Sequence, residues 1–289
     1  MRILIFGKTG QLAQQFNILS RDFQVRQLGS EQLNFLNPLA VAEEIRNYKP
    51  SHIINAAAYT AVDKAESEKD LALSINSEIL HTIGTEAKKL NSHVIHFSTD
   101  YVFNGQKNAA YCEEDAVDPV NYYGFTKLQG EKMLMATECS FFIFRVSWVY
   151  GPTGNNFLKT ILGLLSSREE LKIVNDQRGA PTSSFEIASS IMTILKDSNF
   201  ADKGGLYHMA PAGETTWYDF AKKILQFALE KPEKFKVITQ SITPISSSQY
   251  PAVAERPSNS VLSSGKLKKN FGVELGTWQE GLRHVFDIL

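Results

Sequence analysis

The stretch Arg2-Ile3-Leu4-Ile5-Phe6-Gly7-Lys8-Thr9-Gly10-Gln11-Leu12-Ala13 decides the fold. Residues 2 to 6 are a short apolar run ending at a glycine turn, which reads as a buried parallel strand. Helical spacing then continues to about Ser20. Strand, Gly-x-x-Gly-x-x-Ala turn and helix, in that order, open a dinucleotide-binding unit. The glycines let backbone approach a pyrophosphate, and the helix N-terminus offers free N–H groups and the positive end of its dipole. Gly7, Thr9, Gly10, Gln11 and Leu12 are therefore candidate cofactor contacts. Ala13 stands where a third glycine is usual, and its small side chain still permits close packing.

Outward from this opening, strands are expected at about Gln24 to Leu28, His52 to Asn55, His93 to Ser98 and Phe141 to Trp148. Helices Pro38 to Tyr48 and Lys69 to Leu90 separate them, followed by a third downstream of Pro119. This alternation predicts an α/β fold with a doubly wound (Rossmann) parallel sheet, whose ligand crevice lies beyond the C-terminal strand ends. Thr99 and Asp100 follow the fourth strand, so they fall where chemistry happens, and the Thr99 hydroxyl can bond a substrate oxygen. The small-residue turn after the third strand, with Ala57, Ala58, Tyr59 and Thr60, lets backbone lie against the cofactor. At the second strand the sequence Val25-Arg26-Gln27-Leu28-Gly29 has no carboxylate for the ribose hydroxyls. With Arg26 and Lys8 nearby, that favours NADPH, or tolerance of both cofactors.

The helix after Pro119 carries Tyr123 and Lys127 four residues apart, hence on one face. An ammonium held near a phenol stabilises phenolate, each pKa unit being worth about 1.4 kcal/mol. Such a pair makes tyrosine a usable proton donor near neutrality. Beyond Trp148 the alternation loosens, and residues 151–289 are expected to form a smaller C-terminal α/β substrate-binding lid over a 1–150 dinucleotide-binding domain. The segment near 171–196 is expected to return to the first domain. A Ser/Pro-rich loop is expected over Ser241 to Pro257, then two short closing helices.

Composition excludes several function classes. A net charge of −1 over 289 residues gives no electrostatic case for nucleic acid or an anionic membrane. No run approaches eighteen apolar residues, and Arg2 with four apolar residues before Gly7 is too short for a signal peptide. Two cysteines, Cys112 and Cys139, make no disulfide framework and fit a reducing cytoplasm. His93 and His96 fall on opposite strand faces and complete no zinc site, while His208 reads as a satisfied structural residue.

The chain resembles the extended short-chain dehydrogenase/reductases, and within them the family of dTDP-4-dehydrorhamnose reductases. The resemblance rests on Gly7–Leu12, Asn55–Glu66, Ser98–Phe103 and Tyr123–Glu131, and continues through Gly179–Thr182, Thr215–Trp217 and Arg256–Ser260. It implies reduction of the C4 ketone of a dTDP-sugar by NADPH or NADH. Tyr123 would be the general acid and Lys127 would tune it and hold the ribose. Thr99 would bind the reacting oxygen, with Asp100, Trp148 and Arg256 on the substrate. Asn34 stands where an aspartate commonly contacts the adenine, with Phe35 beside it also assigned to the cofactor. Some members are homodimers held through magnesium; Phe185-Glu186 does not clearly preserve that site, so no metal is assigned. Related dehydratases carry Asp-Glu after the threonine, where this chain has Asp100-Tyr101. An epimerase and a non-catalytic regulatory subunit on the same scaffold remain the other readings.

Overall fold

A computed structural model describes all 289 residues. The first half runs β1 (Arg2–Phe6), α1 (Gln11–Leu19), β2 (Gln24–Leu28), α2 (Pro38–Tyr48), β3 (His52–Asn55), α3 (Val62–Ala65), α4 (Lys69–Leu73), α5 (Ile79–Leu90), β4 (His93–Thr99), α6 (Tyr122–Ala136) and β5 (Ser140–Val146). The second half adds β6 (Val149–Tyr150), α7 (Phe157–Leu165), β7 (Glu170–Val174), β8 (Arg178–Gly179), β9 (Thr182–Ser183), α8 (Ser184–Ile194), β10 (Gly205–His208), β11 (Thr215–Thr216), α9 (Trp217–Leu229), β12 (Ser241–Ile245), α10 (Gly265–Phe271) and α11 (Trp278–Ile288).

Six strands form one parallel sheet in the order β10-β5-β4-β3-β1-β2. Chain direction reverses at β1, which pairs with β2 on one side and β3 on the other. That switch point opens the ligand crevice beyond the strand ends. The apolar run of β1 is explained by burial on both faces. Ile3 and Ile5 join Phe16, Phe144 and Ile187 on one side, while Leu4 and Phe6 join Val41, Ile53 and Ile83 on the other. A second core gathers Leu158, Ile161, Phe220, Ile224, Leu282 and Phe286 from α7, α9 and α11. The chain crosses back after residue 150: α8 packs on α1, and β10 completes the large sheet beside β5. β7 stays with the second unit, paired to β12. No helix is long and apolar enough to cross a membrane.

Two expectations need correction. The expected single helix from Lys69 to Leu90 is interrupted by a π-helical segment at Ser74–Glu78. There the backbone widens so that Asn76 turns inward, and its amide bonds both backbone groups of Tyr59 at 2.8 and 2.9 Å. The expected loop over Ser241 to Pro257 contains β12, in parallel register with β7. Pro244 is tolerated because this is a two-stranded ribbon and the proline keeps its missing donor off the ladder.

Helix α6 lies close on its neighbours because two glycines allow it. A Cβ on Gly124 would sit 2.1 Å from the Tyr101 carbonyl oxygen, and one on Gly130 2.1 Å from that of Asn76. Both obstacles are backbone, which cannot rotate away. Gly130→Ala should therefore destabilise the fold by about 1–3 kcal/mol, read as a lower urea midpoint; an unchanged midpoint would show that α6 has room to shift.

Candidate active site

The glycine turn has the geometry of an anion cradle. Gly7 adopts φ +104°, where a Cβ would press the Ala56 carbonyl at 3.0 Å, so a side chain is excluded twice over. Gly10 caps α1 without any side-chain hydrogen bond, and nothing lies within 4 Å of where its Cβ would stand. The first turn of α1 thus keeps open N–H groups and holds no acidic residue to compete for them. The backbones of Thr9 and Gly10 line this opening. Gln11 turns its side chain toward the second half, accepting from Asn156 at 2.9 Å, while Leu12 packs on the core. These residues fit the pyrophosphate of a dinucleotide.

Around the rim, Asn34 uses its side-chain oxygen on the Leu36 N–H at 2.9 Å, and Phe35 sits edge-on to Phe6 at 5.2 Å. The segment Ala57, Ala58, Tyr59 and Thr60 is held by Asn76 at Tyr59 and by Asn55, which accepts from the Ala57 N–H at 3.3 Å. Sequence reasoning missed Asn76, whose polar neighbours Ser74, Ser77 and Glu78 left no signal to single it out. Arg26 does not serve the β2 tip as expected. Its guanidinium is paired with Glu44 of α2 at 2.5 and 3.1 Å, drawn off by the nearer carboxylate. Lys8 remains there, its stem lying over Gly29.

At the end of β4 the chemistry-bearing residues converge. Thr99 donates to Asp100 at 2.8 Å and accepts from the Tyr101 N–H. Burial pushes the Asp100 carboxyl up to about 6, against opposing hydrogen bonds from Ser260 and Thr99. Tyr123 opens α6, whose N-terminus is capped by Asn121. Burial and then the Asp100 charge raise the Tyr123 phenol above its ordinary value, while a hydrogen bond with Thr99 draws it down. The expected close pairing of Lys127 with that phenol is not what the structure shows. The Lys127 Nζ is instead 2.7 Å from the Phe97 carbonyl and 3.2 Å from His96 Nε2. At 2% exposure its pKa falls to about 8, burial being the main cause. Helical spacing gave the right face, but partners on β4 set where Nζ points.

A cavity of about 910 Å³ adjoins this end of the sheet, lined by Tyr101, Trp217, Val253, Ala254 and Arg256 among others. Tyr101 links it to the reacting end, its ring edge-on to Tyr123 at 5.8 Å. Arg256 forms a bidentate pair with Asp63 at 2.6 and 2.8 Å. Asp63 also accepts the Val253 and Ala254 N–H groups, and the Arg256 bond holds its carboxyl down at about 2. A strap at residues 253–256 is thereby fastened across the cavity to α3. Asp100 is 2% exposed and does not line the cavity. Nor does Trp148, expected on the substrate: it takes φ +47° and stacks on Trp217 at 3.5 Å, so that Trp217 presents the aromatic face. Gly179 makes this possible, since a Cβ there would lie 2.4 Å from the Trp148 ring.

Glu186 is a buried carboxylate beside the Tyr150 hydroxyl and Gly281, its pKa raised to about 7 by burial and, to a lesser extent, by the charge of Glu280. No cluster of three His, Cys, Asp or Glu side chains is arranged for a metal. His208, expected to be structural, bonds the Tyr111 carbonyl at 3.0 Å through Nδ1.

Comparison with known proteins agrees over the whole length. The family model described as RmlD substrate binding domain matches residues 1–289. The dTDP-4-dehydrorhamnose reductase of Escherichia coli K12 is 41% identical, covering 100% of this chain and 98% of its own. A dTDP-4-dehydrorhamnose reductase structure from Bacillus anthracis in complex with NADP superposes with a TM-score of 0.92 at 33% identity, covering 100% and 99% of the two chains. A Thermus thermophilus UDP-glucose 4-epimerase complexed with NAD shares the fold alone, at 16% identity and a TM-score of 0.80 over 99% and 98% of the chains. With matching length, fold and residue pattern, this chain belongs to the RmlD family, that of the dTDP-4-dehydrorhamnose reductases.

Proposed function

We propose that the chain reduces the C4 ketone of dTDP-4-dehydro-L-rhamnose to dTDP-L-rhamnose with NADPH as the favoured reductant, supplying a deoxysugar precursor for polysaccharide. The observation that carries this reading is the meeting of Thr99, Tyr123 and Lys127 at one strand end, beside both an anion cradle and a large cavity. The Bacillus anthracis relative was solved with NADP, which supports the cofactor class. Lys8 over the β2 tip is the cation that favours the phosphorylated form. The unpaired thiols of Cys112 and Cys139 suit a reducing cytoplasm.

When bound, the nicotinamide supplies hydride to the sugar C4. The remaining work is positioning and charge management by the chain. Thr99 swings its one hydroxyl proton from Asp100 to the ketone oxygen and orients it. Tyr123 delivers its phenolic proton to that oxygen as negative charge develops, and is reprotonated from solvent. Lys127 holds the cofactor ribose and, once charged, stabilises the phenolate. The strap with Arg256 closes on the nucleotide, and Trp217 backed by Trp148 gives the sugar nucleotide an aromatic wall. We assign the 1–150 region to the cofactor and most of 151–289 to the substrate, with α8 and β10 returning to the first unit.

Substrate-dependent loss of reduced-nicotinamide absorbance, with NADPH and NADH in parallel, tests the reaction. Turnover with dTDP-4-dehydro-L-rhamnose made in situ is expected; no turnover from a chain that binds either cofactor would shift the reading to another keto sugar or a regulatory role. Tyr123→Phe should lower kcat about 10²–10⁴-fold with cofactor affinity nearly unchanged, whereas Lys127→Ala should weaken both. Parallel loss of cofactor binding in the Tyr123 variant contradicts the role given to the phenol. Releasing the strap with Asp63→Asn should raise the KM for the sugar nucleotide roughly three- to tenfold with kcat less affected; steady-state kinetics showing the reverse split would remove the strap from substrate binding.

A further inference from the structure

One buried chain of hydrogen bonds behind the reacting end fixes its own proton positions. It begins at a donor of known sense, the Ala57 backbone N–H, which the Asn55 oxygen Oδ1 accepts at 3.3 Å. The other end of that amide, Nδ2, can only donate, and it faces His96 Nδ1 at 3.2 Å. His96 Nδ1 is therefore the acceptor of its ring, and a neutral imidazole then carries its proton on Nε2. Nε2 faces Lys127 Nζ at 3.2 Å. An N–H pointing at a lysine nitrogen needs a lone pair there, which an ammonium lacks. The amine can then donate one of its own hydrogens to the Phe97 carbonyl at 2.7 Å. The opposite assignment turns the Asn55 NH2 toward the Ala57 N–H, setting donor against donor at a residue only 1% exposed.

We propose that His96, oriented by Asn55, is a positioning residue that keeps Lys127 a neutral amine in the free chain, and that cofactor binding then loads this amine with a proton. The second half of this rests on the ribose-binding role given to Lys127 above. Asn55 and His96 both lie at 1% exposure, so no water competes for these contacts. The groups facing Lys127 agree with the assignment. From β4, His96 is a buried ring that burial holds neutral, far below its ordinary pKa. From its own helix, Glu131 is the nearest carboxylate, but both its oxygens are committed to Arg145 at 2.9 and 2.7 Å, with Ser98 as a further donor. Tyr123 is an uncharged phenol there. Burial brings Lys127 down to about 8, which by itself leaves most of it charged at neutral pH, so the lone-pair demand of the His96 Nε2–H is what holds it neutral there. With lysine and tyrosine both uncharged at rest, the phenolate-stabilising cation is created only when the cofactor is in place.

Two measurements test this. In the ligand-free chain, ¹⁵N-histidine NMR, with the His96 signals assigned by their loss in His96→Asn or by elimination among the six histidines, should show His96 protonated on Nε2 alone. Protonation on Nδ1, or on both nitrogens, overturns the proposal without reference to any activity. In the second, calorimetric titration of NADPH at about pH 7, where burial alone would leave Lys127 charged, in buffers of different ionisation enthalpy should show uptake approaching one proton per cofactor, lost in Lys127→Met. Binding without uptake overturns the proposal while leaving the reductase reading intact. Failure to bind NADPH at all instead fells the cofactor reading, and the NMR result then decides the resting state by itself.

Discussion

The pair between Glu131 and Arg145 fastens the site together. Two parallel hydrogen bonds at 2.9 and 2.7 Å join α6 to β5, and Ser98 of β4 donates to the same carboxylate at 2.5 Å. Both side chains are almost wholly buried, at 2% and 4% exposure. A pair of this kind adds little net stability over apolar packing, because desolvating two charges costs nearly what their attraction returns. Its value is directional. A bidentate guanidinium–carboxylate bond admits one geometry, and it fixes the register of α6 against two strands. Lys127 lies one turn before Glu131 and Tyr123 one turn earlier still, while Thr99 follows Ser98 directly. Each of the groups proposed to react is therefore within a turn or two of this anchor.

Close approach of α6 is the second half of the same constraint. Gly124 and Gly130 let the helix touch the Tyr101 and Asn76 carbonyls, and that contact buries the Lys127 stem. Burial in turn removes water as a partner for Nζ, so its partners must be the Phe97 carbonyl and His96. The lid unit contributes differently. Its strap is tied by Asp63 through four hydrogen bonds, and this attachment of residues 253–256 to α3 holds one cavity wall against the first half of the chain.

Much of this was legible in the sequence where the physics is local. β2, α2 and β3 begin and end at the expected residues, because apolar runs and proline, glycine and asparagine boundaries are written in adjacent positions. The placement of Thr99 at a strand end, and of Tyr123 and Lys127 four apart on one helix, was readable from position and spacing. What was not legible depends on groups far apart in the chain. The π segment follows from Asn76 reaching Tyr59, and the turn of Lys127 toward His96 depends on β4. Trp148 reads as a substrate wall until Trp217, 69 positions later (217 − 148), covers its ring. Arg26 reads as a cofactor cation until Glu44 takes it. Charge and aromaticity are visible in a sequence; their partners are not.

The central claim is that Thr99 and Tyr123 meet the reacting oxygen beyond β4, with Lys127 beneath the cofactor. A crystal structure of the chain with NADP and dTDP-L-rhamnose tests it most directly. The account predicts the sugar O4 within hydrogen-bond reach of both the Tyr123 hydroxyl and the Thr99 hydroxyl, with Lys127 Nζ on the nicotinamide ribose. A sugar ring seated away from Tyr123, or a ribose that Lys127 does not touch, would contradict it.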